Sequence, residues 1–260
     1  MDNIEISSNL VIKDNPKFGT YNHDIVFEII RSVDINLSKC IEIEPFSSSK
    51  CMIDYNFDNP MITNSTTPEF KHIIYLSTGG DYWCQWIYQF AHEYCHHLID
   101  GNMSGELKGC IWFEESLCEA SSIYNLISLE KIWRNSSCQV YRNYSQSIQR
   151  YIDNLQEKEK SQICKILDAS NKIRVYKQDK NGKLDYNRDL YHRIASSILL
   201  PQIIDNQNVW KIIHHIGDSH SWNSITELMG YLVETADKSY LNSIKELQDK
   251  FNSIIKYIQE

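Results

Sequence analysis

The chain has 260 residues, with 26 Lys and Arg against 34 Asp and Glu, which gives a formal net charge of −8. A hydrophobic fraction of 42% can build a core and excludes a disordered chain. The excess of acidic residues provides no basic face for binding nucleic acid or an anionic membrane. The sequence has no apolar run of about 18 residues and no signal-like start, which predicts a cytoplasmic protein.

The N-terminal third of the sequence predicts a helix and then strands. Ile25, Ile29 and Val33 recur at steps of four within residues 21–36, which is typical of an amphipathic helix. Three apolar or alternating segments after it predict short strands, at residues 40–46, 51–57 and 71–77.

Beyond Gly80 the pattern changes to helical periodicity. Apolar side chains recur at steps of three and four along residues 81–99, which predicts a helix whose buried stripe includes Trp83, Trp86 and Phe90. A polar, glycine-containing loop is predicted at 100–109, and a second helix from 111 to about 127.

Helices and loops are predicted for the remainder. Residues 177–189 are polar and contain an Asn-Gly pair, which predicts a surface loop. From Tyr240 onward, apolar residues keep heptad spacing for little more than two heptads, which favours a terminal helix packed on its own domain. We therefore predict an α+β protein with an N-terminal subdomain, 1–128, and an all-helical C-terminal subdomain, 129–260, that closes a cleft.

The motif HEYCH lies inside the helix predicted at 81–99. His92 and His96 are four residues apart, so both imidazoles lie on one helix face and can reach one cation. Glu93, beside the first histidine, is placed to act on a metal-bound water. The pattern indicates the helix of a zinc peptidase, with one Zn²⁺ per chain.

A catalytic zinc normally takes three protein ligands and keeps a fourth position open. Glu115, in the next predicted helix, follows His96 with eighteen residues between them, a length that allows helix, loop and helix to bring its carboxylate back over the two histidines. Glu119 lies one turn further along the same face.

These residues resemble the gluzincin metallopeptidases, which include thermolysin and the aminopeptidase N family. HEYCH with Glu115 is similar to the pattern HExxH-x18-E, and WFEESLCEA resembles the segment that carries the third ligand there. The resemblance implies a zincin-like small twisted sheet with a zinc-binding helix, Glu115 as a zinc ligand, and Glu119 as an acid that hydrogen-bonds a ligating histidine. It also implies that 71–77 is the sheet edge that binds an extended peptide.

In gluzincins a Tyr or His from a later helix stabilises the oxyanion. Tyr191 and His192, which open an apolar helix after the polar loop, are the candidates that the resemblance implies, and Tyr176 and Tyr186 remain alternatives. A role for Tyr191 as a core aromatic and for His192 as a solvated cap has about equal weight.

Several neighbours of the motif have simpler interpretations. His97 points about 100° away from His96 around the helix, which favours a packed or hydrogen-bonded role. Cys95 and Cys118 lie off the ligand face and are expected in the core as reduced thiols. Glu114 is expected to be solvated or paired at the rim.

The expected function is a zinc-dependent metallopeptidase in which a zinc-bound water, with Glu93 as general base, hydrolyses a bond of a peptide or protein substrate. The segment that captures the substrate amine in aminopeptidase N enzymes has no counterpart here, so aminopeptidase activity is not implied. A zincin-fold binding or regulatory protein without peptidase activity is the alternative, and a helical interaction module with a coincidental HEYCH is a third. The oligomeric state stays open.

Overall fold

The computed structural model describes residues 3–44, 48–99, 111–168, 176–178, 184–186, 188–217 and 224–259, with side chains outside 111–112, 156–190 and 254–259. Within these ranges the protein is α+β, as predicted, with one five-stranded mixed sheet and several helices. The loop predicted at 100–109 lies outside the described residues. No described helix has an apolar stretch long enough to span a membrane.

The sheet consists of five short strands in the order β1-β2-β3-β5-β4. They are β1 (Asn3–Glu5), β2 (Leu10–Lys13), β3 (Cys51–Tyr55), β4 (Met61–Asn64) and β5 (His72–Leu76). β2, β3 and β5 are parallel, whereas β1 and β4 are the antiparallel outer strands. The prediction that 71–77 forms the sheet edge is therefore wrong, because β5 lies between β3 and β4.

Helix α1 (His23–Ile41) connects the parallel strands β2 and β3. It begins where the Asn22 side chain accepts a hydrogen bond from the amide of Ile25, and it ends at Glu42, which adopts the left-handed conformation with φ 57°. Cys40 and Ile41 are its last buried residues, so the strand predicted at 40–46 is wrong where the structure describes it. The alternation there is short enough to fit a helix end equally well.

Helix α2 (Trp83–Ile99) follows β5 after a tight connection at Ser77–Gly80, and it confirms the helix predicted at 81–99. The connection needs Gly79, because a Cβ at this position would lie 2.2 Å from the carbonyl oxygen of Phe18. Trp83, Trp86 and Phe90 are buried, which confirms the predicted apolar stripe.

Helix α3 (Ile111–Arg134) packs closely against α2, because small side chains lie between them. Ser121 donates a hydrogen bond to the carbonyl of Ala91 at 2.9 Å, and Ser122 to that of Tyr88 at 2.8 Å. Such side-chain contacts to the neighbouring helix backbone require small residues at the interface. They fix α3 beside the half of α2 that carries the motif.

The second half of the chain contains α4 (Gln139–Asp168), a hairpin of β6 (Tyr176–Gln178) and β7 (Leu184–Tyr186), α5 (Arg188–Ile194), a π-helical turn (Ala195–Leu199), α6 (Leu200–Asp205), a 3₁₀ helix (Gln207–Ile212), α7 (Ile213–Ile216), α8 (Ile225–Thr235) and α9 (Leu241–Gln259). The prediction of an all-helical second half is wrong, because β6 and β7 pair as antiparallel strands. Ile244 and Leu247 of α9 are fully buried and Phe251 contacts Phe113, which confirms that the terminal helix packs on its own protein.

Candidate metal centre

Two histidines of α2 and one glutamate of α3 meet in the structure. His92 and His96 lie one turn apart on one face of α2, with ring centroids 5.2 Å apart. Glu115 faces both, with Oε2 3.3 Å from Nε2 of His92 and Oε1 3.7 Å from Nε2 of His96. One ligand atom from each residue lies within 4.8 Å of the others, so the three residues can hold a metal ion.

The remaining ring nitrogens of the two histidines face two other carboxylates. Nδ1 of His96 lies 2.7 Å from Oε1 of Glu114, and Nδ1 of His92 lies 3.7 Å from Oε2 of Glu119. A carboxylate at Nδ1 favours the tautomer with its proton there, which leaves Nε2 as the coordinating atom. Both Nε2 atoms then converge on Glu115.

Glu119 connects the cluster of His92, His96 and Glu115, the metal group, to the second half of the chain. Its Oε1 accepts hydrogen bonds from the hydroxyl of Tyr88 on α2 and from Nδ1 of His192 on α5. Its other oxygen faces His92. Three elements therefore meet at one carboxylate that is itself nearly buried.

Electrostatics in this cluster favour charged His92 and His96 and an ionised Glu119 in the metal-free protein. Burial opposes the charge on His96, but the hydrogen bond to Glu114 and the nearby Glu115 raise its pKa to about 9. For His92, burial is likewise outweighed by Glu115 and Glu119, so its pKa lies well above the usual value. Burial would raise the pKa of Glu119, yet contacts with His192 and His92 lower it to about 2.

Glu93, the predicted general base, is buried beside His92, with only 6% of the residue exposed. Its negative charge adds to the forces that raise the pKa of His92. Around α2, position 93 lies about 100° from position 92 and about 60° from position 96. Its role in catalysis stays a prediction.

The two oxyanion candidates lie in different surroundings. His192 is directed at Glu119 and so lies at the border of the metal group. Tyr191 is 4% exposed and belongs to the hydrophobic core. The alternatives Tyr176 and Tyr186 pair with each other across the β6–β7 hairpin, and their side chains lie outside the described residues.

The simpler interpretations of several neighbours are confirmed. His97 is buried, lies 2.8 Å from the imidazole of His72 through the two Nδ1 atoms, and stacks on Tyr94. Cys95 and Cys118 are fully buried and reduced. Burial and the neighbouring Cys95 raise the pKa of the Cys118 thiol, which keeps it protonated.

Two residues of the centre have roles that the sequence did not predict. Glu114 was expected to be solvated or paired at the rim; it is paired, but its partner is His96 of the metal group, which was not predicted. Tyr88 holds Glu119. A signal for Tyr88 was present, because it precedes His92 by four residues and so lies on the same helix face. For Glu114 there was none, since adjacent positions on a helix diverge by about 100°.

The three residues bring their donor atoms close enough to hold one metal ion: Nε2 of His92 lies 3.3 Å from Oε2 of Glu115, and Nε2 of His96 lies 3.7 Å from Oε1. Two imidazoles and one carboxylate are also a donor set that catalytic zinc uses. A scan against protein families, a search of curated proteins and a search of solved structures each find no match to this chain.

Proposed function

We propose that this protein is a zinc-dependent metallopeptidase whose metal is held by His92, His96 and Glu115. The observation that carries the proposal is the orientation of the two imidazoles: both Nε2 atoms face Glu115, while the Nδ1 atoms face Glu119 and Glu114. In this arrangement the Nε2 atoms of both imidazoles are directed at the same point, and a carboxylate faces each Nδ1 atom and orients the ring. The resemblance of HEYCH and Glu115 to the gluzincin pattern supports the same assignment.

In this mechanism the two side chains that act on water and substrate come from two helices, Glu93 from α2 and His192 from α5. Zinc supplies, when bound, a Lewis acid that brings the pKa of water toward about 7 and polarises a carbonyl oxygen. Glu93 takes the proton from the attacking water and returns it to the leaving amine. His192 hydrogen-bonds the oxyanion through Nε2 in its protonated form, because Nδ1 already donates to Glu119 and only the imidazolium carries a second N–H.

The substrate in this proposal is a peptide or protein segment in extended conformation. Strand β4 is the sheet edge nearer to α2, and within the described residues it pairs only with β5. An extended peptide can add to such an edge through main-chain hydrogen bonds. The proposal thus transfers the peptide-binding edge from β5 to β4.

Zinc content is the first test of this function. Purified wild-type protein, dialysed after zinc loading, is expected to retain about one zinc per chain by elemental analysis, and Glu115→Ala to lose or strongly weaken it. Glu234→Ala, which removes an exposed carboxylate of α8, is the matched control and should retain the metal. Wild-type protein that binds no zinc contradicts the metal assignment.

Peptide hydrolysis is the second test. Zinc-loaded wild-type protein is incubated with a quenched-fluorescence peptide library, beside Glu93→Gln. We expect turnover in the wild type and a loss of at least about a hundredfold in the variant, with its zinc retained. Zinc binding without turnover favours the zincin-fold binding or regulatory protein, and equal turnover in Glu93→Gln contradicts Glu93 as the base.

A further inference from the structure

A cavity of about 270 Å³ lies at the N-terminal end of α2. Its walls come from the 3₁₀ turn Pro16–Phe18, the end of β3, the β5–α2 connection and the first turns of α2. The residues that matter for its chemistry are Lys17, Tyr55, Thr78, Tyr82, Gln85 and Gln89.

The cavity continues the helix face that carries the metal group. Gln85 and Gln89 precede His92 by seven and three residues, so all three fall within about 60° around α2, at a rise of about 1.5 Å per residue. The cavity is therefore about 5–10 Å from the metal group along the helix. An extended peptide advances about 3.3 Å per residue, so a group two or three residues from a bond held at the metal reaches this cavity.

Hydrogen bonds fix the wall between the cavity and the metal group. The side-chain oxygen of Gln89 accepts from the amide of Ser77 at 2.9 Å, and its NH₂ group donates to Gln85 at 3.2 Å. Gln85 in turn donates to the hydroxyl of Tyr151 at 3.0 Å. Both glutamines are thus held in place, so the cavity is formed before a ligand arrives.

The charge and hydrogen-bonding capacity of the lining favour an anion. Lys17 is the charged residue of the lining, and it has no ion-pair partner within the described part of the chain. Thr78 lines the cavity, only 6% of the residue is exposed, and its buried hydroxyl has no hydrogen-bond partner among the described residues. A buried polar group without a partner destabilises the protein, and a ligand acceptor would satisfy it. The positive end of α2, at Trp83, lies beside them.

We propose that this cavity is a subsite for a carboxylate of the peptide substrate, two or three residues from the bond to be cleaved. Lys17 supplies the charge and the Thr78 hydroxyl donates a hydrogen bond. The carboxylate belongs to an Asp or Glu side chain or to the C-terminus of a short peptide. The inference rests on the proposed peptidase function, because that function brings a peptide to this face of α2.

Binding to the zinc-loaded Glu93→Gln protein tests the subsite without turnover. The probes are hexapeptide pools blocked at both ends, with Glu or Gln fixed at each position in turn, and matching neutral pools with a free C-terminus. We expect Glu at one position, or the free C-terminus, to tighten the Kd at least fivefold over the blocked Gln pool. The pool that binds more tightly shows whether the carboxylate comes from a Glu side chain or from the C-terminus.

Further substitutions on this background assign the effect to the cavity. Lys17→Gln and Thr78→Val should each remove most of the preference, whereas Thr78→Ser should keep it because the hydroxyl is retained. Lys131→Gln, which removes an exposed charge at the end of α3, is the matched control and should keep it as well. Equal affinity for charged and neutral pools, no binding of any pool at millimolar concentration, or a preference that survives Lys17→Gln overturns the proposal.

Turnover of the same peptides by the zinc-loaded wild-type protein separates this inference from the proposed function. Hydrolysis without any preference for a carboxylate leaves the peptidase function standing and overturns the subsite. A carboxylate preference in binding without hydrolysis of any peptide leaves the subsite standing and contradicts the peptidase function.

Discussion

Nδ1 of His96 lies 2.7 Å from Oε1 of Glu114, the residue directly before Glu115 in the sequence. Adjacent residues of α3 thus contact opposite sides of one imidazole, because Oε1 of Glu115 faces its Nε2 atom at 3.7 Å. Glu114 and Glu115 together hold the imidazole ring of His96 from both sides. Because Glu114 faces Nδ1, the Nε2 atom is the nitrogen that is left for a metal.

Two substitutions of Glu114 should weaken zinc binding to different degrees. Glu114→Gln keeps an oxygen that can accept from Nδ1 and should weaken zinc by only a few fold, whereas Glu114→Ala removes the partner and should weaken it about 10–100-fold. The measurement is competition with a zinc chelator, with Glu234→Gln on α8 as the control. Wild-type affinity in Glu114→Ala would show that this contact does not orient the ring.

Zinc binding should release protons at neutral pH. The pKa of His96 is raised to about 9 and that of His92 lies well above its usual value, so both rings are charged in the metal-free protein at pH 7 and must become neutral to coordinate. About two protons should be released, and the affinity should rise with pH until the rings titrate. Calorimetry at pH 7 in two buffers of different ionisation enthalpy measures the release, and identical heats in both buffers would contradict it.

The same shift makes the metal-free protein less stable at alkaline pH. Because the folded-state pKa of His96 is about 9 and its unfolded-state pKa about 6.5, the contribution of its charge is complete below pH 6.5 and is lost as the pH rises through 9. The loss is on the order of 3 kcal/mol in the free energy of unfolding. Urea denaturation with a chelator present measures it, and His96→Gln should flatten the dependence between pH 6.5 and 9.

The helices of the site and the three residues that could hold a metal ion were predictable because their signals are local. The spacing of His92 and His96 fixes one helix face, and the distance to Glu115 in the chain allows a return through a loop. The position of α2 followed from apolar periodicity over at least four turns, where helix and strand patterns differ clearly, and the start of α3 followed from the polar, glycine-containing segment before it.

The order of the strands in the sheet and the rotation of α3 against α2 were not predictable, because both depend on distant parts of the chain. The sequence of β5 carries no signal that β4, rather than β5, lies at the edge, since strand order is decided by long-range packing. The bond from Glu114 to His96 depends on how α3 is rotated against α2, which Ser121 and Ser122 fix through backbone carbonyls. Strands β6 and β7 overlap the segment 177–189 that was predicted as a loop, because each has only three residues and so carries little strand signal.

Tyr88 should act through Glu119. Tyr88→Phe removes the hydroxyl that donates to this carboxylate, so we expect a loss of about 1–2 kcal/mol in unfolding free energy and a few-fold weaker zinc binding, because Glu119 is held less firmly toward His92 and His192. Urea denaturation and zinc competition measure the two effects. Tyr141→Phe, whose hydroxyl makes no hydrogen bond within the described residues, should change neither quantity.

Gly79 should be the least tolerant glycine of the connection that leads into α2. A Cβ there would lie 2.2 Å from the carbonyl oxygen of Phe18, which is backbone and cannot rotate away, so Gly79→Ala should lower the unfolding free energy by about 1–3 kcal/mol. Gly230→Ala in α8 is the matched control: nothing lies within 4 Å of its added Cβ, and alanine is the better helix former, so it should stabilise by up to about 1 kcal/mol. Opposite signs in paired urea titrations are the expected result. A stable Gly79→Ala protein would mean that the chain before α2 can move away from Phe18, and the cavity beside it would then not be held in one shape.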